Sequence, residues 1–124
     1  MEDIFNDLYH LCTQAYENLG RLQHGRGNLG GAIEYLERGL SIAEQTGKRE
    51  EEARLRHRLG MALWQRGTHE DHDAAQGHFE RAVVLFEAIR RDAKGASAYK
   101  YRLFDLQTEC YQVGIMRLFN RLII

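Results

Sequence analysis

Residues 16–20 read Tyr16-Glu17-Asn18-Leu19-Gly20, and forty residues further on the Leu-Gly pair returns as Leu59-Gly60. A punctuating glycine follows each pair, Gly27 in the first case and Gly67 in the second. A spaced trio comes next: Ala32-x-x-x-Leu36-x-x-Gly39 after the first pair, Ala75-x-x-x-Phe79-x-x-Ala82 after the second. Self-similarity at such a period marks an array of helical hairpins. The residue types give the physical reason. Small residues at Gly20, Ala32, Gly39, Gly60, Ala75 and Ala82 let two helices approach closely, while Tyr16, Leu19, Leu36, Leu59 and Phe79 fill the ridges between them.

Working outward, the apolar residues recur at three- and four-residue steps, the spacing that stacks them on one helical face. Ile4, Phe5, Leu8, Leu11, Cys12, Ala15, Tyr16 and Leu19 form the first stripe. Gly25 to Gly31 breaks it with residues that tolerate left-handed backbone. Further stripes run from Ala32 to Ala43, from Ala53 to Leu63, from Ala75 to Phe86 and through Tyr99, Leu103, Leu106 and Cys110, with a short sixth helix over 115–124. No stretch alternates with a period of two, and the chain has no proline. The expectation is an all-α domain of about six helices.

Composition narrows the function classes. The 124 residues hold 44% hydrophobic and 28% charged side chains, a globular balance. With 17 Lys+Arg against 18 Asp+Glu, the chain is no general coat for nucleic acid. Cys12 and Cys110 are too few and too far apart for a zinc cage, so a reducing, cytoplasmic setting is expected. No apolar run reaches the ~18 residues of a membrane span, and Met1-Glu2-Asp3 does not open a signal peptide.

The two good repeats resemble the tetratricopeptide repeat family, whose pattern is an aromatic before Leu-Gly and then Ala-x-x-x-aromatic-x-x-Ala. Arg56 stands where the second aromatic belongs, Gln107 replaces a small residue in a degenerate third copy, and the closing proline is absent. The repeats are longer than the usual ~34 residues and are similar in this to Partner-of-Inscuteable-type adaptors and kinesin light chains. The resemblance implies antiparallel hairpins stacked as a short right-handed superhelix. Repeat one would span about 3–46, repeat two about 49–93 and the third repeat or capping hairpin about 96–124, in one domain over 1–124. It also implies a concave face, lined by first helices, that holds a partner peptide or helix.

Carried onto this chain, that face would use Gln14, Glu17, Asn18, Arg21 and His24 from repeat one. Repeat two would add Arg54, His57, Arg58, Met61, Trp64 and Gln65, and the third copy Tyr101, Phe104, Asp105, Thr108 and Tyr111. Arg54, His57, Arg58, Met61 and Gln65 also share one face by helical spacing alone. Arginine and tryptophan anchor interfaces, and Arg21, Arg54 and Arg58 can each take a carboxylate in a two-pronged bond, so an acidic partner with apolar anchors is expected. The competing reading is a solvated flank with Trp64 in the core. The lysine-and-asparagine clamp of chaperone-tail binders is not reproduced, since Glu17, Arg21 and Arg58 stand in its place.

Other motifs read blandly. Thr68-His69-Glu70-Asp71-His72-Asp73 is a helix start capped by Thr68 or Asp71 rather than a metal site. Gly25-x-Gly27-x-x-Gly30 lacks the preceding strand a dinucleotide fingerprint needs and is turn punctuation. Cys12 and Cys110 read as small core residues, and His10, His24, His57 and His78 as scattered surface or groove residues. No nucleophile stands in an arrangement with a histidine and a carboxylate, so no enzyme, cofactor or metal is expected. The basic run Lys48, Arg49, Arg54, Arg56, Arg58 is diluted by Glu50–Arg54 and Glu52–Arg56 pairing, against a nucleic-acid partner. The largely apolar ending, with Ile115, Leu118, Phe119 and Leu122, suggests a second role: self-association as a homodimer, or cover by the next repeat of a longer array.

Overall fold

The computed structural model describes residues 2–92. They form four α-helices: α1 (Glu2–Gly25), α2 (Leu29–Thr46), α3 (Arg49–Arg66) and α4 (His69–Asp92). Residues 93–124 lie outside the described part, and with them the fifth and sixth helices, the third repeat, Cys110, Tyr101 and Phe104, and the self-association residues Ile115, Leu118, Phe119 and Leu122.

Glycine stops the first three helices. Gly27, Gly47 and Gly67 have φ of 81°, 68° and 83°, left-handed backbone that side chains with a Cβ resist. Asn28 then starts α2, its side chain accepting from the Gly31 amide at 3.1 Å. Gly30 and Gly31 therefore belong to the first turn of α2, and the expected break shrinks to Arg26-Gly27-Asn28. At the start of α4, Thr68 and Asp71 cap each other: the Asp71 amide donates to Thr68 Oγ1 at 3.0 Å and the Thr68 amide reaches Asp71 Oδ2 at 3.4 Å.

Consecutive helices pack in pairs, α1 on α2, α2 on α3 and α3 on α4, with a lighter α1–α3 contact. The recurring small residues set those distances. A Cβ on Gly20 would stand 2.6 Å from Leu36 Cγ, and one on Gly60 would stand 2.6 Å from Phe79 Cε1. Leu36 and Phe79 are themselves buried, so neither ring nor branch can retreat cheaply. Gly60→Ala is expected to destabilise by ~1–3 kcal/mol despite its gain in helix propensity. Gly77, which has open space at its Cβ position inside α4, should stabilise by ~0.5–1 kcal/mol as Gly77→Ala. Urea midpoints of the two variants, moving in opposite directions, check this.

The core runs through α2, α3 and α4: Leu36, Leu55, Leu59, Phe79 and Phe86 are almost fully enclosed. The first stripe does not join it as expected. Ile4, Phe5, Leu8, Leu11, Leu19 and Leu22 are 39–63% exposed, and Cys12 is exposed too. The repeat itself supplies the reason. α3, which carries the enclosed Leu59, packs between α2 and α4, whereas α1, which carries its repeat-mate Leu19, packs on α2 with only a light contact to α3.

Candidate partner-binding groove

α1 and α3, the first helices of the two hairpins, lie side by side and in parallel along one polar seam. Three rungs tie them at a constant offset. The Nδ1 of His10 meets Glu51 Oε1, Glu17 Oε2 lies 3.4 Å from Arg58 Nε, and His24 Nε2 is 2.7 Å from Gln65 Oε1. Each pair is separated by 41 residues, one more than the Leu-Gly repeat, and the rungs follow at intervals of seven residues, two helical turns. Arg54 and Arg58 of α3 both turn to this seam, where they meet Glu17 of α1.

Glu17 is the main correction. Expected on the surface, it is buried, and its Oε2 also accepts from Arg54 Nε at 3.3 Å. Arg54 therefore turns across to α1 and is not seen paired with Glu50, whereas the expected Glu52–Arg56 pair forms at 2.8 Å. Arg58 Nε is buried and makes no hydrogen bond. Burial above all pulls the Arg58 guanidinium below its ordinary value; Glu17 opposes that shift, while the like charges of Arg21 and Arg54 add to it. A shallow recess, largely open to solvent, lies beside it, lined by Arg21, His24, Gly25, Arg58 and Gln65.

Toward the start of α1 the seam changes sign. A cavity of about 620 Å³ there gathers Asp7, Glu50, Glu51 and Asp92 around Lys48 and Arg49, and Arg49 is spent on Asp92 at 2.8 Å. The Oε2 of Glu51 is buried there without a hydrogen bond. The positive potential is thus confined to the middle and far end of the seam, at Arg21, Arg54 and Arg58.

The other expected groove residues divide. Asn18 and Gln65 are exposed, and Met61 is partly buried against the core. His57 is a correction: it is buried, with its ring 6.1 Å from that of Phe79 on α4. Trp64 satisfies both readings in part, packing on the core and stacking on His72 of α4 at 4.3 Å. The turn of helix that carries Arg58 toward α1 carries His57 and Trp64 toward α4.

The opposite face of α3 belongs to structure. Arg56 donates to Glu52 at 2.8 Å, to Glu44 at 2.7 Å and to His78 Nδ1 at 3.1 Å, tying α2, α3 and α4 together. His78 is thereby half-buried rather than a surface residue; burial first, then Arg56, lowers its pKa to about 4. The basic run is accordingly split, with Arg56 facing away from Arg54 and Arg58. Asp71 takes a two-pronged bond from Arg66 at 2.7 and 2.6 Å, and this partner, more than the Thr68 contacts, holds its carboxyl far below the usual range. Among the described residues no group of histidine, cysteine and carboxylate side chains is placed to hold a metal, and no helix is long and apolar enough to cross a membrane.

A family model described as tetratricopeptide repeat matches residues 11–88, which takes in both Leu-Gly pairs, all of α2 and α3 and most of α1 and α4. The chain belongs to the tetratricopeptide repeat family. Tetratricopeptide repeat protein 28 of mouse and that of human are each 50% identical to it over 66 residues, 53% of this chain. The chain spans 3% of the length of the mouse protein and 2% of the human one. No solved structure matches it. Tetratricopeptide repeats generally mediate protein–protein interaction and their proteins are generally non-enzymatic scaffolds.

Proposed function

We propose that this tetratricopeptide domain is an adaptor that holds an acidic segment of a partner protein along the α1–α3 seam. The observation that carries the reading is the excess of guanidinium over carboxylate there: Arg54 and Arg58 share one oxygen of Glu17, and Arg21 has no acidic partner among the described residues. Two positive charges are left over at a partly desolvated place, where an incoming carboxylate gains more than it would on open surface. Met61 and Trp64, both partly buried against the core, offer apolar contact beside them. The long repeat, similar to that of Partner-of-Inscuteable-type adaptors, supports the same role.

Selection from a random peptide-display library on the immobilised domain tests the reading. Enriched sequences should carry net negative charge with one or two aliphatic anchors, and their capture should weaken steeply between 50 and 300 mM salt (on the order of a sixfold rise in ionic strength). Enrichment of basic or neutral sequences, or capture indifferent to salt, would remove the basis for the acidic groove.

A further inference from the structure

We propose that the recess between Arg21 and Arg58 is a site for a doubly charged phosphoryl group, carried on a phosphorylated serine or threonine of the bound partner segment. The inference rests on the seam being the docking face and goes beyond it by naming the group that the recess takes.

Arg54 and Arg58 both depend on the single oxygen Glu17 Oε2, at the long distances of 3.3 and 3.4 Å. Arg58 Nε is buried and, 3.4 Å from that oxygen, is ion-paired with it without an aligned hydrogen bond. Three guanidiniums facing one carboxylate leave two positive charges. A carboxylate neutralises one of them and presents two oxygens. A phosphoryl group near neutral pH carries about −1.5 to −2 and presents three oxygens, which suits the fork of Arg58 and that of Arg21 together.

Shape and surroundings agree. The depression is shallow and open to solvent, so a phosphorylated side chain can reach Arg21 and Arg58 directly, and Gly25 at its rim adds no side-chain bulk. Gln65 Oε1 already has His24 Nε2 at 2.7 Å, so the amide nitrogen of Gln65 is the part of that group left to donate to an anion. A nucleic-acid backbone fits less well. Phosphates following the seam toward the start of α1 would run into Glu51, Glu50 and Asp7 around the acidic cavity. One isolated dianion on a protein segment avoids them.

Two synthetic peptides in a Glu/Leu background, identical except for glutamate or phosphoserine at one position, test the inference on the full chain. Affinity is read by fluorescence anisotropy, and the Nε–Hε signals of Arg21 and Arg58 by NMR. The phosphoserine peptide is expected to bind at least ~10-fold more tightly, to move the Arg58 Nε signal most, and to lose that advantage in Arg21→Gln, a substitution at an exposed position. Inorganic phosphate at millimolar concentration should compete with it selectively. Equal affinity of the two peptides would overturn the phosphoryl site and leave the acidic groove standing. Failure of both to bind would overturn the groove as well. Tighter binding of a single-stranded oligonucleotide than of the phosphopeptide would assign the recess to nucleic acid instead.

Discussion

Replacing Arg54 and Arg58 together by glutamine, in a chain that also carries Glu17→Gln, is expected to weaken a selected acidic peptide ~100-fold, or about 2.7 kcal/mol. The figure follows from one charge-assisted bond lost per arginine, each contributing at the lower end of ~1.5–3 kcal/mol because both side chains keep about a third of their surface in water. Neutralising all three groups matters. Reversal to glutamate at positions 54 and 58 alone would press three carboxylates together around the buried Glu17, and a loss of binding could then be a loss of fold. Glutamine is isosteric with Glu17 and, though shorter than arginine, leaves no buried charge without a partner. Glu17→Gln by itself should do the opposite and strengthen the acidic peptide several-fold, since Glu17 competes with the ligand for Arg54 and Arg58. Isothermal titration of the single and triple variants reads both signs. If the triple variant binds like the parent, recognition lies elsewhere.

The second large effect concerns stability and separates two leucines that the repeat pattern makes equivalent. Leu59→Ala is expected to cost ~2–5 kcal/mol, the transfer term plus the cavity left in a core where Leu59 shows no exposed surface. Leu19→Ala, at the repeat-mate that is 39% exposed, should cost under ~1 kcal/mol. Urea unfolding followed by circular dichroism measures each midpoint, and a repeat array calls for checking the slope as well, because loss of one interface can uncouple neighbouring hairpins. Similar costs at the two positions would mean that Leu19 is covered, and that the open face of α1 has been misread.

That pair of leucines shows what a sequence can reveal and where it stops. Glycine placement made the ends of α2 and α3 readable, because helix stops at Gly47 and Gly67 are local events decided by one backbone conformation. The close approaches at Gly20 and Gly60 were readable too, since only a missing Cβ explains glycine inside a helix at a repeated place. Whether an apolar stripe is covered is different. It depends on a neighbour: Tyr16 of the α1 stripe meets α2, but Ile4, Phe5, Leu8 and Leu11 stay largely exposed, and Cys12 lies in the open with them.

The groove failed to read for a related reason. Arg54 and Arg58 share a face by their own spacing, but the fate of Glu17 turns on a register between two helices far apart in sequence. A forty-residue period aligns Leu19 with Leu59; it does not announce that seam contacts run one residue out of step, joining His10 to Glu51 and His24 to Gln65. With that offset known, Glu17 falls opposite Arg58 by counting. His57 was misplaced by a smaller margin, about a quarter-turn of α3 separating the side that meets α1 from the side that meets Phe79.

The central claim is that partner recognition uses the seam between α1 and α3. Its most direct test is a titration of the ¹⁵N-labelled chain with a selected acidic peptide, followed by backbone amides and arginine Nε–Hε signals together. The largest shifts are expected at Arg21, Arg54 and Arg58 and at the amides of Asn18, Met61 and Gln65. Shifts confined to the outer faces of α2 and α4, at Glu34, Arg38 or Arg81 for example, with the three arginines unmoved, would contradict it.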